Sequence, residues 1–76
     1  METSRGVEMN KVFIGNNLRR IRGEQNLSQA DVSRRTGLRH GFISELESNK
    51  KEPCAGTLLR LSTALGVSVD SLLSRE

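Results

Sequence analysis

The 76-residue sequence contains no tryptophan and no tyrosine, and its aromatic residues are two phenylalanines. A chain of this length forms one small domain, and with so few aromatics its core has to consist of leucine, isoleucine and valine. The sequence has one proline and one cysteine. Because a single cysteine cannot form an internal disulfide, a reducing compartment is favoured. We therefore expect a small domain with an aliphatic core, located in the cytoplasm.

Long apolar runs are also missing. No stretch approaches the roughly 20 apolar residues of a membrane-spanning helix, and residues 1–10 lack the apolar segment of a secretory signal. We therefore expect no membrane association. Residues 1–10 also show no apolar rhythm, which predicts a flexible N-terminal arm followed by a folded domain over residues 11–76.

The motifs of catalysis and cofactor binding are absent from the sequence. It offers no serine or cysteine nucleophile with an arranged base, no pair of catalytic acids and no glycine-rich phosphate loop. The one histidine, His40, has no cysteine or carboxylate at a spacing typical of metal ligands. The sequence therefore predicts a non-enzymatic protein without a metal or a cofactor.

Positive charge is in excess and unevenly distributed. The net charge is +3, and the segment from residue 11 to residue 52 contains nine basic and five acidic residues. A basic half of this kind favours a polyanionic partner such as nucleic acid. A solvated helical surface would show the same charge balance, so composition alone leaves both interpretations open.

Apolar residues at helical spacing predict five short helices and no strand. The predicted helices cover residues 11–25, 29–36, 39–48, 55–65 and 69–73. Ser28 and Asp31 form the pattern of a capping box at the start of the second helix. Four residues suited to a left-handed conformation are predicted to end helices: Asn26, Gly37, Asn49 and Gly66.

The spacing of the second and third helices indicates a helix-turn-helix unit. Ser33 is a small residue where the two helices would touch, and Gly37 suits the tight turn between them. Ile43 and Leu46 would anchor one face of the third helix and leave its other face free. A free helix face on a basic domain fits the major groove of duplex DNA.

Motif stretches along the folded part resemble the Xre-type family, the Cro and phage-repressor class of helix-turn-helix regulators. The matching stretches are residues 14–15, 18–22, 27–33, 36–38, 42–47, 53, 57–61 and 64–73. Phe42 directly before Ile43 is similar to the pattern of restriction-modification controller proteins. The resemblance implies an all-α, compact five-helix fold of the lambda-repressor type. It also implies a transcriptional regulator that binds double-stranded DNA as a homodimer on a palindromic operator.

The resemblance makes the third helix, residues 39–48, the recognition helix. Base contacts would then come from His40, Gly41, Ser44 and Glu45. We expect His40 to donate to a guanine or a phosphate, with an idle surface histidine as the alternative, and Glu45 to accept from a cytosine amino group. Gly41 departs from the long polar residue of many relatives and offers only its backbone.

The resemblance also implies contacts to phosphates and one internal ion pair. The phosphate contacts would come from Gln29, Arg39, Asn49, Lys50 and Lys51. Gln29 would act together with the free N–H groups and the dipole at the start of the second helix. Arg22 and Glu47 match a pair that forms an internal salt bridge in relatives, and we assign them a structural role.

Two further interpretations come from the second half of the chain. Cys54 follows Pro53 at a capping position, where we expect a passive cap or packing residue, with a redox-sensitive thiol as the alternative. Val69 and Leu73 are surplus apolar residues and candidates for a dimer interface. A different class of function also stays open, namely an antitoxin-type module that neutralises a partner toxin.

Overall fold

The structure is a computed structural model that describes residues 12–74. Five helices occur there, namely α1 (Gly15–Glu24), α2 (Gln29–Thr36), α3 (His40–Glu47), α4 (Ala55–Leu65) and α5 (Val69–Leu73). No strand is present between residues 12 and 74. The predicted all-α, five-helix architecture is therefore confirmed. The predicted arm at residues 1–10 lies outside the described residues.

One aliphatic core joins the five helices. Its buried apolar residues are Ile14, Leu18, Ile21, Val32, Ile43, Leu46, Leu61, Leu65 and Leu72. Burial of a leucine or isoleucine side chain contributes roughly 1.5–3 kcal/mol each. Neither phenylalanine belongs to this set, because Phe42 is half-buried against the core and Phe13 is 47% exposed. The core is thus built from leucine, isoleucine and valine, as the composition predicts.

α1 begins at Gly15, later than the start at Lys11 that the sequence predicts. Residues 12–14 are described and are not helical, so the predicted start is wrong. The physical reason is a contact from a distant part of the chain, since the N–H of Gly15 donates to Oδ1 of Asn49 at 2.9 Å. The α3 backbone is also very close, because a Cβ on Gly15 would lie 2.4 Å from the carbonyl oxygen of Glu47.

α2 begins with the predicted capping box. The N–H of Asp31 donates to Oγ of Ser28 at 3.0 Å, and the N–H of Ser28 donates to Oδ2 of Asp31 at 2.8 Å. The hydrogen bond from the Ser28 backbone is the main cause that lowers the pKa of Asp31 below its ordinary value. The four predicted helix stops all have a positive φ: Asn26 (57°), Gly37 (79°), Asn49 (61°) and Gly66 (68°).

The start of α1 and the end of α5 are joined by the buried side chain of Asn17. Its Nδ2 donates to the carbonyl oxygen of Leu72 at 2.8 Å and to that of Ser74 at 2.7 Å. The last carbonyls of a helix have no partner inside the helix. Asn17 therefore satisfies the end of α5 and holds it beside the first turn of α1.

Candidate nucleic-acid interface

α3 has a buried face and an exposed face. Ile43 and Leu46 are fully buried, and Glu47 is only 4% exposed. Residues three or four positions apart lie on the same side of a helix. The exposed part of α3 carries three of the predicted base-contact residues: His40, Gly41 and Ser44. The fourth, Glu45, is partly exposed.

The angle between α2 and α3 is fixed by hydrogen bonds on both sides of Gly37. Oγ of Ser33 donates to the carbonyl oxygen of Leu38 at 2.5 Å, and the N–H of Leu38 donates to Oγ1 of Thr36 at 3.1 Å. From α4, Nη1 of Arg60 donates to the carbonyl oxygen of Thr36 at 3.0 Å. These bonds satisfy the polar groups of the turn and orient α3 on the rest of the domain.

A chain of hydrogen bonds connects α1 to the exposed start of α3. Arg22 donates twice to Glu47, from Nε to Oε2 at 2.6 Å and from Nη2 to Oε1 at 2.9 Å, and once to the carbonyl oxygen of Leu27 at 3.0 Å. Nε2 of Gln29 donates to Oε1 of Glu47 at 3.0 Å. Oε1 of Gln29 lies 3.1 Å from Nε2 of His40. These hydrogen bonds connect α1, α2 and the buried end of α3 to His40, an exposed residue of α3.

The ion pair of Arg22 and Glu47, at the centre of these hydrogen bonds, is charged in the folded protein. Burial opposes the ionisation of Glu47 more than any other single effect. The hydrogen bonds from Arg22 and Gln29, together with the charge of Arg22, outweigh it and hold the pKa of Glu47 below its ordinary value of 4.5. The hydrogen bond with Glu47 in turn raises the pKa of Arg22.

The N-terminus of α3 is open. Its N-cap residue, Arg39, is exposed and extended, with φ −66° and ψ 145°, and makes no side-chain capping bond. The first turn of α3 contains no acidic residue. The first N–H groups of a helix lack internal partners and carry a partial positive charge. Together with the arginine, they make this end of α3 favourable for an anion.

The segment after α3 carries the other predicted phosphate contacts. Lys50 and Lys51 are exposed, and Nζ of Lys51 lies 4.0 Å from Oε1 of Glu45. A predicted phosphate contact and a predicted base contact are therefore neighbours. Asn49 is exposed, but its Oδ1 accepts from the N–H of Gly15, which leaves its amide nitrogen as the donor for a phosphate.

The two predicted dimer candidates lie on α5. Val69 is half-buried and Leu73 is 40% exposed. Phe13, which is not among the residues predicted from the sequence, is 47% exposed directly before Ile14, the N-cap residue of α1. A signal was available, because Phe13 is a large apolar residue outside the helical stripe, directly before the buried Ile14.

Cys54 is the N-cap residue of α4 and is exposed. Its Sγ lies 3.4 Å from Oγ1 of Thr57. This hydrogen bond, followed by the backbone N–H groups of the first turn, lowers the pKa of the Cys54 thiol. Cys54 thus stands at the expected N-cap position without a side-chain capping hydrogen bond, and the redox-sensitive thiol stays a prediction.

Within residues 12–74, no helix is long and apolar enough to cross a membrane. The same part of the chain contains no cluster of three or more histidine, cysteine, aspartate or glutamate residues that could hold a metal ion.

Two short helices held at a fixed angle by a left-handed glycine turn, with the second exposed along one face, define a helix-turn-helix protein. Comparison with known families agrees, because a family model described as "Helix-turn-helix domain" matches residues 15–76. This match covers most of the chain, and the chain belongs to that family.

Individual relatives include a transcriptional regulator and a control protein. The chain is 39% identical over 62 residues to the uncharacterized HTH-type transcriptional regulator y4dJ of Sinorhizobium fredii, covering 82% of this chain and 79% of the relative. It is 33% identical over 66 residues to the control protein C.SmaI of Serratia marcescens, covering 87% and 79%. The resemblance predicted from the motifs is therefore confirmed.

Among solved structures, the P22 c2 repressor protein in complex with synthetic operator 9T superposes with a TM-score of 0.76. The two sequences are 33% identical, and the match covers 84% of this chain and 97% of the repressor chain. The five helices therefore have the fold of a phage repressor, as the resemblance implied.

Proposed function

We propose that this protein is a sequence-specific transcriptional regulator that places α3 in the major groove of double-stranded DNA. The observation that carries the proposal is the arrangement of α3, which is anchored along its buried face, exposed along its other face, and open and basic at its N-terminus. An α-helix fits the major groove, and residues near its N-terminus contact base edges. The operator complex of the P22 c2 repressor, which shares this fold, supports the same use of the surface.

In this proposal, two sets of residues contact the DNA. The base contacts are assigned to His40, Gly41, Ser44 and Glu45, and the phosphate contacts to Gln29, Arg39, Asn49, Lys50 and Lys51. Base contacts give specificity, whereas phosphate contacts fix the position of the protein without selecting a sequence. Gln29 also makes contacts within the protein, because its side chain donates a hydrogen bond to Glu47 and lies within hydrogen-bond distance of His40.

We also propose that two copies bind together on a palindromic operator. The candidate surface for a second copy consists of Val69 and Leu73 on α5, together with the exposed Phe13 just before α1, the helix that Asn17 joins to α5. Such a dimer would hold the two α3 helices about one turn of DNA apart, roughly 34 Å. Because the relatives come from bacteria and a phage, we propose that this protein binds DNA in the cytoplasm.

Selection from random duplex DNA, followed by a salt titration, tests DNA binding. We expect an enriched palindrome bound more than ~10³-fold better than random DNA at near-physiological salt. Lys50→Ala should weaken binding on all sequences and reduce the salt slope by about 1, because it removes one phosphate contact. Arg34→Ala is the matched control, since it removes the same charge from an exposed side chain that already pairs with Asp31. Weak binding without any enriched sequence would contradict the proposal.

Two leucine variants test the dimer surface. Leu73→Glu should give a monomer in sedimentation experiments and abolish binding to the full palindrome at low protein concentration. The control is Leu59→Glu, because Leu59 is a more exposed leucine, at 60%, and lines a groove between α2 and α4 to which α5 contributes no residue. If Leu59→Glu breaks the dimer and Leu73→Glu does not, the assigned surface is wrong.

A further inference from the structure

We infer that Gln29 fixes a hydrogen on Nε2 of His40, so that Nδ1, the ring nitrogen left for DNA, accepts hydrogen bonds while the ring is neutral. Neutral His40 would then select a base with an amino group in the major groove, adenine or cytosine. Protonated His40 would select guanine instead. The inference rests on the proposed function, because it assigns a base preference to one residue of the proposed recognition helix.

At Arg22 the hydrogen-bonding roles are fixed by charge. A guanidinium group has only donors. Arg22 uses two of them on Glu47, at 2.6 and 2.9 Å. Since these contacts hold Glu47 in its ionised form, both of its carboxylate oxygens can only accept.

The carboxylate then fixes the orientation of the Gln29 amide. The amide atom 3.0 Å from Oε1 of Glu47 has to be the donor Nε2, because an amide oxygen in that position would face another acceptor. The opposite orientation is therefore excluded, and Oε1 of Gln29 is directed towards His40. An amide oxygen can only accept, so Nε2 of His40, at 3.1 Å, has to carry the hydrogen.

The second ring nitrogen is available to a ligand. Among residues 12–74, Gln29 is the only hydrogen-bond partner of the imidazole, and His40 is exposed in the first turn of α3. In a neutral ring with its hydrogen on Nε2, Nδ1 holds a lone pair. That lone pair matches the amino groups of adenine and cytosine and is repelled by O6 and N7 of guanine. Donation from His40 to guanine or phosphate, which the sequence suggests, therefore requires the protonated ring.

The charged groups around His40 come from two helices. Glu47 on α3 and Arg22 on α1 are connected to it through Gln29 of α2, and Arg39 precedes it at the N-cap of α3. Histidine is the side-chain type in this cluster that changes charge between about pH 5 and 8. The base preference at the contacted position should therefore depend on pH.

Nitrogen NMR tests the position of the hydrogen without DNA, and the assignment is direct because the chain has one histidine. At about pH 8, we expect a hydrogen on Nε2, a bare Nδ1, and slow exchange of the Nε2 hydrogen with solvent. Gln29→Ala should make that exchange fast. A hydrogen on Nδ1 in the unmodified protein, or unchanged exchange in Gln29→Ala, overturns the inference.

Selection from random duplex DNA at about pH 8 and about pH 5.5 tests the base preference. At the position that His40 contacts, we expect adenine or cytosine at the higher pH and a shift of about tenfold towards guanine at the lower pH. His40→Ala is the control and should show no shift at that position. Any change that persists in this variant comes from other groups and does not support the inference.

The outcomes separate the inference from the proposed function. If a sequence is enriched but its bases do not change with pH, the proposed function stands and the inference fails. If no sequence is enriched at either pH while circular dichroism shows a folded protein, the proposed function fails, and the inference fails with it. The expected ring state together with a pH-dependent base preference that requires His40 supports both.

Discussion

The two faces of α3 depend on different kinds of contact. On the buried face, Ile43 and Leu46 are enclosed by the core and Glu47 is held by α1 and α2. On the outer face, Ser44 is exposed and the polar contact of His40 within residues 12–74 is with Gln29. One eight-residue helix thus separates the residues that fix its position from those that can meet a ligand. Changes on one face should alter stability, and changes on the other should alter binding.

The largest expected effect is on the buried face. Leu46→Ala should lower the free energy of unfolding by about 3 kcal/mol, because it removes buried apolar surface and leaves a cavity. Ser44→Ala, two positions earlier on the outer face, should stay within about 0.5 kcal/mol. Urea unfolding of both variants measures the difference. Equal destabilisation by the two substitutions would contradict the claim that the buried face fixes the helix and the outer face does not.

The partly buried ion pair of Arg22 and Glu47 should give the next largest effect. Glu47→Gln should lower the free energy of unfolding by about 2 kcal/mol, because it leaves the charge of Arg22 without its partner. The matched control is Glu24→Gln, which breaks the exposed pair of Glu24 with Arg20 at 3.5 Å and should change stability by less than about 0.5 kcal/mol. Thermal unfolding of both variants compares the two pairs. If Glu47→Gln left the thermal stability unchanged, the structural role of the pair would be contradicted.

The same pair predicts a dependence of stability on pH. Because the folded protein lowers the pKa of Glu47, the stabilisation is complete above the ordinary value of 4.5 and is lost as the pH falls through the lower folded value. The difference in stability between the unmodified protein and Glu47→Gln should therefore shrink as the pH falls from about 6 to about 3. Unfolding curves at several pH values measure it. A difference that does not change with pH would show that the charge of Glu47 is not what stabilises the fold.

The smallest expected stability effect concerns the two helix starts. Ser28→Ala should cost about 1 kcal/mol, because it removes the capping box of α2. Arg39→Ala, at the uncapped start of α3, should stay within about 0.5 kcal/mol and weaken DNA binding instead. Unfolding and binding measurements on both variants compare the two ends. If Arg39→Ala destabilises the fold as strongly as Ser28→Ala, the start of α3 is held by contacts within the protein and is not free for a ligand.

Local signals predicted those parts of the fold that depend on neighbouring residues. The helix from Ala55 to Leu65 has its predicted limits, because Pro53 precedes it and Gly66 ends it in a left-handed conformation. The capping box at Ser28 is equally local, since both of its hydrogen bonds join residues three positions apart.

Parts of the fold and of the site that depend on distant residues could not be predicted in the same way. The start of α1 is set by Asn49, which is 34 positions from Gly15. The contact between Gln29 and Glu47 spans 18 positions and that between Gln29 and His40 spans 11. No helical period connects such residues, so only the packing of the helices brings them together. The sequence therefore predicts that α3 exposes one face, and the structure shows which long-range contacts hold the helix in that position.

The central claim is that the outer face of α3 selects the DNA sequence, and one parallel selection experiment tests it most directly. Random duplex DNA would be selected with the unmodified protein, with Glu45→Ala and with Lys50→Ala. We predict that Glu45→Ala loses the preference at one base pair of each half-site, whereas Lys50→Ala selects the original sequence with weaker binding. The claim would be contradicted if Glu45→Ala selected the original sequence at every position.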